Sequence, residues 1–178
     1  MNPLFIKLAR HAVLVMAMAL AGGCASYSGS NLVPGQSSQA DARMSLGEPA
    51  AIHKAPAGQP YAESWEYPHG PAGRDTYMVR FDSGGRFVAS EQVLTVNNTA
   101  KIEYGKAGRD DVRKILGRPG LKFPLNNGGE MWDYAALTTE GVPRKIRITV
   151  TFDRNGTAVS GGESFDPEEW SFDGGAAL

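Results

Sequence analysis

The sequence predicts an α+β protein built from two tandem repeats, each with two short helices followed by a three- or four-stranded antiparallel sheet. Three observations carry this expectation. Shifted by 70 residues, the chain sets Gly35 on Gly105, Asp41 on Asp111, Arg43 on Arg113, Leu46 on Leu116, Gly47 on Gly117 and Pro49 on Pro119. These are six identities in fifteen gapless columns, where ordinary composition gives roughly one. Val112, Ile115 and Leu116 stand at i, i+3 and i+4, the apolar stripe of a short helix. Ile146, Ile148, Val150 and Phe152 alternate with Arg147, Thr149 and Thr151, the period of a strand with one buried face.

The correspondence runs on beyond the helices. Trp65-x-Tyr67 matches Trp132-x-Tyr134, and Phe81-Asp82 with Gly85 matches Phe152-Asp153 with Gly156. A repeat that keeps order and spacing in this way is read as a tandem duplication. In the second copy the helix over 110–116 ends at Gly117, which accepts a left-handed backbone, and Pro119 blocks its continuation. A preceding helical turn is expected over 97–104, where Ile102 packs against it. In the first copy Ser38 stands three residues before Asp41, a capping-box-like start, and the earlier helix is shortened to Leu32-Val33. Strands are expected around 65–67, 77–81 and 86–94, and around 132–134, 145–152 and 157–163. Asp82-Ser-Gly-Gly85 and Asp153-Arg-Asn-Gly156 have the residues of hairpin turns. The boundaries that follow are 1–23 for a leader, 24–32 for a tether, 33–95 and 96–166 for the repeats, and 167–178 for an acidic, aromatic tail.

The leader has Lys7 and Arg10 without an acid, then the apolar run Ala12 to Ala21. That run is shorter than the roughly 20 residues of a membrane-spanning helix, so a signal peptide is the better reading. Leu20-Ala21-Gly22-Gly23-Cys24 resembles the lipobox of bacterial lipoproteins. That resemblance implies cleavage before Cys24 and acylation, palmitate included, of the new first residue. Cys24 is the only Cys of the 178 residues, and an exported protein with one thiol calls for an explanation that lipidation supplies. A plain signal peptide with an incidental Cys is the alternative. Ala25 at the next position implies, by resemblance to enterobacterial sorting rules, an outer-membrane destination. The small, polar stretch Ala25 to Asn31 reads as a flexible tether.

Composition narrows the function. Losing Lys7 and Arg10 with the leader changes the formal net charge from −1 to −3, which gives no electrostatic footprint for nucleic acid. With 22 Gly and 11 Pro the mature chain suits a turn-rich fold. His53 and His69 stand in loop-like sequence without a metal-ligand spacing, and no nucleophile elbow, phosphate loop or dinucleotide fingerprint occurs. The Asp153-x-Asn155-Gly156 stretch shares part of a calcium-loop pattern but lacks its closing Glu. The expectation is a non-enzyme with no cofactor and no metal.

The segment Gln92-Val-Leu-Thr-Val-Asn-Asn-Thr-Ala-Lys-Ile102, then Gly105, Asp111-Val112, Leu116-Gly-Arg-Pro119, Trp132-x-Tyr134 and Val150-Thr-Phe-Asp153 with Gly156, resembles the SmpA/OmlA (BamE-like) lipoprotein family. The resemblance covers the second repeat almost end to end and the first from Val33. It implies a small lipoprotein of the outer membrane, facing the periplasm, with an accessory role in folding β-barrel proteins. Two units in series depart from the single unit of the familiar members, and resemble the architecture of the β-lactamase inhibitory protein family, whose paired sheets form a concave aromatic surface.

Two functions are therefore expected, in order. The first is a scaffold lipoprotein, held to outer-membrane lipid through Cys24 and binding another envelope protein. The second is a periplasmic inhibitor or sequestering protein that takes an enzyme or small ligand on a concave double sheet. Trp65, Tyr67, Trp132 and Tyr134 are either core or partner-binding, because alternation puts each Trp and its Tyr on one sheet face without saying which. Arg80, Arg144, Lys145 and Arg147 would rim such a surface. Trp170 in the tail is either a docking residue or a cover for a sheet edge.

Overall fold

The computed structural model describes residues 28–69, 73–138 and 141–167. Its order is α1 (Gln39–Leu46), β1 (Ala51–Lys54), β2 (Glu63–His69), β3 (Asp75–Phe81), β4 (Phe87–Gln92), α2 (Val96–Thr99), α3 (Arg109–Leu116), β5 (Leu121–Pro124), β6 (Glu130–Leu137), β7 (Lys145–Phe152) and β8 (Ala158–Phe165). The strands make two antiparallel four-stranded meanders, β1-β2-β3-β4 and β5-β6-β7-β8. The fold is α+β with two sheet units, as the patterning predicts.

Each helix starts and stops for local reasons. Ser38 caps α1: its Oγ accepts from Asp41 N at 3.2 Å, and Asp41 Oδ2 accepts from Ser38 N at 2.7 Å, so two orphan donors are satisfied together. In α3 the cap is Gly108 and only the second half remains, Gly108 N donating to Asp111 Oδ2 at 2.9 Å. Both helices end on a glycine of positive φ, Gly47 at 82° and Gly117 at 83°, each donating its N–H to the arginine four residues earlier.

The two units share one bonding plan. Gly35 N and Gly105 N donate to Phe87 O and Ala158 O, while Phe87 N and Ala158 N donate back to Ser37 O and Ala107 O. Isolated bridges join Ser38 to Arg86 and Gly108 to Thr157. Trp65 packs on Phe81, and Trp132 on Phe152, each with ring centroids 4.6 Å apart. Register shifts fall at Arg80/Phe81 and at Thr151/Phe152. Hairpin carboxylates tie their own turns: Asp82 Oδ1 accepts from Gly84 N and Arg86 N, and Asp153 Oδ1 from Asn155 N and Thr157 N. The backbone bond from Thr157 leads the causes that hold the Asp153 carboxyl below its ordinary range. That accounts for the stretch as a turn.

Each sheet has four strands, within the expected three or four, although the first strand of each, β1 and β5, lies outside the stretches expected as strands. Two expectations on the helices are corrected. The first unit has one helix among its described residues, since residues 28–38 form turns, so two helices per unit do not hold there. The turn expected over 97–104 is the four-residue α2, capped by Thr95 Oγ1 accepting from Asn98 N at 3.2 Å. Its Asn-Asn-Thr interior consists of weak helix formers, which keeps it short.

Packing sets four layers: α1, the first sheet, α2 with α3, and the second sheet. Ala42 and Leu46 of α1 share a core with Trp65, Tyr67, Val79, Phe81 and Phe87. Val112 and Leu116 of α3 share another with Trp132, Tyr134, Ile146, Ile148, Val150 and Phe152. The turn after α3 also reaches the back of the first sheet, where a Cβ on Gly117 would stand 2.5 Å from Thr76 Cγ2. One on Gly47, with the same backbone, would meet nothing within 4 Å.

That matched pair isolates the contact between units. Gly47→Ala should cost about 1 kcal/mol, the backbone penalty alone. Gly117→Ala should cost at least about 1 kcal/mol more, because Thr76 must give way. Denaturant unfolding of the two variants measures the difference, and equal losses would show that the units do not press together there.

Candidate functional site

Alternation along β2 points Trp65 and Tyr67 to one side and Ser64 and Glu66 to the other. The first pair meets α1; the second meets the second unit. Glu66 is fully buried, at 0% exposure, and three residues bond to its carboxylate. His53 Nε2 on β1 lies 3.0 Å from Oε2, Arg113 Nε of α3 donates to Oε2 at 3.0 Å, and Arg118 N donates to Oε1 at 2.9 Å. On the next strand, Thr76 fills the space that a Gly117 side chain would need. Burial pushes the Glu66 carboxyl up, but the bonds from His53, the Arg118 amide and Arg113 outweigh it, and the net shift is downward. An ionised carboxylate therefore pins the two units.

Beside this seam lies a cleft of about 350 Å³ between the first sheet and the helices of the second unit, lined by His53, Tyr61, Met78, Arg80, Glu91 and Lys114 among others. Arg80 pairs with Glu91 and stacks on Tyr61 at 4.9 Å. His53 is taken by Glu66, so no nucleophile and base meet here. Among the described residues, no group of three or more His, Cys, Asp or Glu is placed to hold a metal ion.

The second sheet has the same two faces, but among the described residues only one is covered by helices. Trp132, Tyr134 and Ala136 turn toward α3. The opposite face carries Leu121 and Phe123 of β5, Met131, Asp133 and Ala135 of β6, and Arg147, Thr149 and Thr151 of β7, as their register shows. Leu121 and Phe123 are exposed at 51% and 41%, and no described element lies over them. Asp133 takes the place of Glu66 in the shared plan, and Gly120 N donates to its carbonyl as Ala50 N does to that of Glu66. Its carboxylate, largely buried, is held on that face by Arg147, through Nε to Oδ1 at 2.9 Å and through Nη2 to Oδ2. This face combines exposed apolar side chains with a fixed ion pair and suits recognition of a protein surface.

The aromatics singled out in the sequence lie elsewhere. Trp65, Tyr67, Trp132 and Tyr134 are all buried, facing the helices. The hydroxyls of Tyr67 and Tyr134 donate to Gly47 O and Gly117 O, at 3.1 and 3.4 Å. Desolvation leads the causes that push Tyr67 up to about 12 and Tyr134 further. As partner-binding residues the four are corrected: helices must cover one face of each sheet, and these are the side chains they cover. Of the expected basic rim, Arg147 lies on the open face, Arg80 lines the cleft, and Arg144 stacks on Phe165 at 4.7 Å. Cys24 and Trp170 lie outside the described residues, and no helix among those described is long and apolar enough to cross a membrane. Sequence reasoning missed Glu66 and His53. The signal available was a lone acid between two core aromatics in Trp65-Glu66-Tyr67.

Glu66→Gln should lower the unfolding free energy at pH 7 by about 3 kcal/mol, as breaking one side of a buried pair does. The folded-state pKa lies below the unfolded value of about 4.3, so the stabilisation is complete above that value and is lost as pH falls through the folded-state pKa. Unfolding measured from pH 7 to pH 3 should fall more steeply for the parent than for Glu66→Gln. Parallel curves would show that Glu66 is not ionised in the fold.

No curated protein and no solved structure matches the chain. Residues 91–162, from the end of β4 through α2, α3 and the second sheet, match the family model described as the outer membrane protein assembly factor BamE domain, so the unit that carries the open face is similar to that domain.

Proposed function

We propose that the chain is a periplasmic lipoprotein, anchored to the outer membrane through Cys24, with a non-enzymatic scaffold role in the assembly of envelope or β-barrel proteins. The observation that carries this is the BamE-domain match over residues 91–162, in a chain whose leader ends on a lipobox-like Gly22-Gly23-Cys24. Several acyl chains on one terminus hold a protein firmly, since each buried CH₂ contributes about 0.8 kcal/mol. The tether expected over 24–32 would then set the two units a short distance from the membrane. We also infer a tandem duplication, for which the shared bonding plan of the two sheets is the support. Partner binding belongs on the open face of the second sheet, where apolar side chains meet water. An inhibitor reading loses its main support, because the aromatics it needed are core.

Two measurements test this. Metabolic palmitate label should enter the parent and be absent from Cys24→Ser, which should leave the outer-membrane fraction as a soluble or unprocessed form with its fold intact; label retained by the variant would contradict the anchor. A mild-detergent pull-down from membranes should recover barrel-assembly subunits. Recovery of one soluble enzyme instead would restore the inhibitor reading.

A further inference from the structure

Within the chain, the back of the first sheet already shows how such a face is covered. The end of α3 lies on it: Arg113 and the Arg118 amide reach Glu66, Gly117 touches Thr76, and Lys114 and Ile115 enter the cleft beside His53. In the second sheet Asp133 stands for Glu66, Arg147 for Thr76 and Phe123 for His53; no described element lies over the exposed Phe123, while Asp133 is buried beside its partner Arg147. The end of α1, in turn, repeats the end of α3; it packs on its own sheet through Arg43, Leu46 and Gly47, and no second unit lies against it among the described residues. Arg43 stands for Arg113, Met44 for Lys114, Gly47 for Gly117 and Glu48 for Arg118. Met44 is 85% exposed on a helix where an apolar residue would normally turn inward.

We propose that the open face of the second sheet docks the end of α1 from a second copy of the chain, head to tail, with Arg43 on Asp133, Glu48 on Arg147 and Met44 on Phe123. The replacements between units are matched in chemistry. Where the inner seam sets a basic Lys114 beside His53, the outer surfaces set Met44 against Phe123, both apolar and both exposed. Where it sets a small Thr76 beside Gly117, they set Arg147 near Gly47 and Glu48, so a positive charge meets a negative one. Arg43 keeps the role of Arg113. Its present pair with Glu48, at 3.1 Å, has both partners exposed and is weak, so Glu48 can exchange for a partner across the interface, whereas Arg43 must also leave the Trp65 ring on which it stacks at 4.2 Å. Such a contact is heterologous, which leaves one α1 end and one sheet face for further copies. The inference rests on the protein-binding reading of this face, but not on which envelope machine the protein serves.

The test uses full-length chains in cells. A chain with Met44→Cys and a differently tagged chain with Phe123→Cys should form a disulfide-linked heterodimer on mild oxidation, while neither variant alone gains a dimer over the parent. Both positions are exposed, so folding is not at stake. Adding Glu48→Lys to the Met44→Cys chain should lower the heterodimer yield about fivefold, as expected for a lost ion pair facing a new like charge. Absence of the heterodimer, or a 44–44 dimer in its place, would overturn the proposal. So would an intrachain disulfide between Phe123→Cys and Trp170→Cys, which would make the tail the occupant. A photoreactive residue in place of Phe123 separates the two readings: capture of a second copy supports self-docking, capture of a different protein overturns it but keeps the face as a binding surface, and no capture overturns both.

Discussion

A carboxylate with no exposure to water holds this molecule in its arrangement. Burying the Glu66 charge costs several kcal/mol in lost hydration, and no single unit supplies enough donors to offset it. His53 comes from the neighbouring strand of its own sheet, but Arg113 and the Arg118 amide come from the other unit. The amide is available because the helix has just ended: Gly117 takes a positive φ, the ladder stops, and the next N–H points outward instead of up the helix. The residue that terminates α3 thus also makes the joint, and only a glycine fits, with Thr76 so close. The ion pair adds little to raw stability compared with an apolar contact of the same size. Its consequence is orientation, since sliding one unit across the other would strand a buried charge.

The elements with strong periodicity were legible from the chain alone. Alternation from Ile146 to Phe152 fixed β7 at 145–152, as observed, and the stripe of Val112, Ile115 and Leu116 with its Gly-x-Pro stop located α3 to within one residue. The strands β1 and β5 were not legible. Ala-Ile-His-Lys and Leu-Lys-Phe-Pro are short edge strands, half or more exposed, and such strands need no apolar face of their own. Pro124, which ends β5, also argues against a strand in sequence while being tolerated at an edge.

The site was less legible than the fold, for a geometric reason. Periodicity says which residues share a face but not what that face meets. Trp65 and Tyr67 could be placed together, yet core or surface depended on the side from which α1 approaches. Glu66, between them, is 47 positions from Arg113 in sequence, and no local pattern announces the contact. His53 read as a loop residue because the strand that carries it was invisible.

The difference between the units is as informative as their likeness. In arrays of similar units the terminal one ordinarily turns a polar face to solvent, because no neighbour follows it. The second sheet goes part of the way. Asp133 is one methylene shorter than Glu66, and Arg147, from the adjacent strand, satisfies it without help from another unit. That removes the cost of an unpaired carboxylate at the end of the array. The rest of the face has not been made polar: Leu121 and Phe123 remain exposed, with Met131 beside them. A face whose charge is internally paired while its apolar side chains stay open can stand in water and can also bind, since a partner need only displace water from the apolar part and line up with an ion pair already in place. Local charge satisfaction therefore makes this surface durable when empty, and leaves its binding energy to the residues that a capping surface would have replaced.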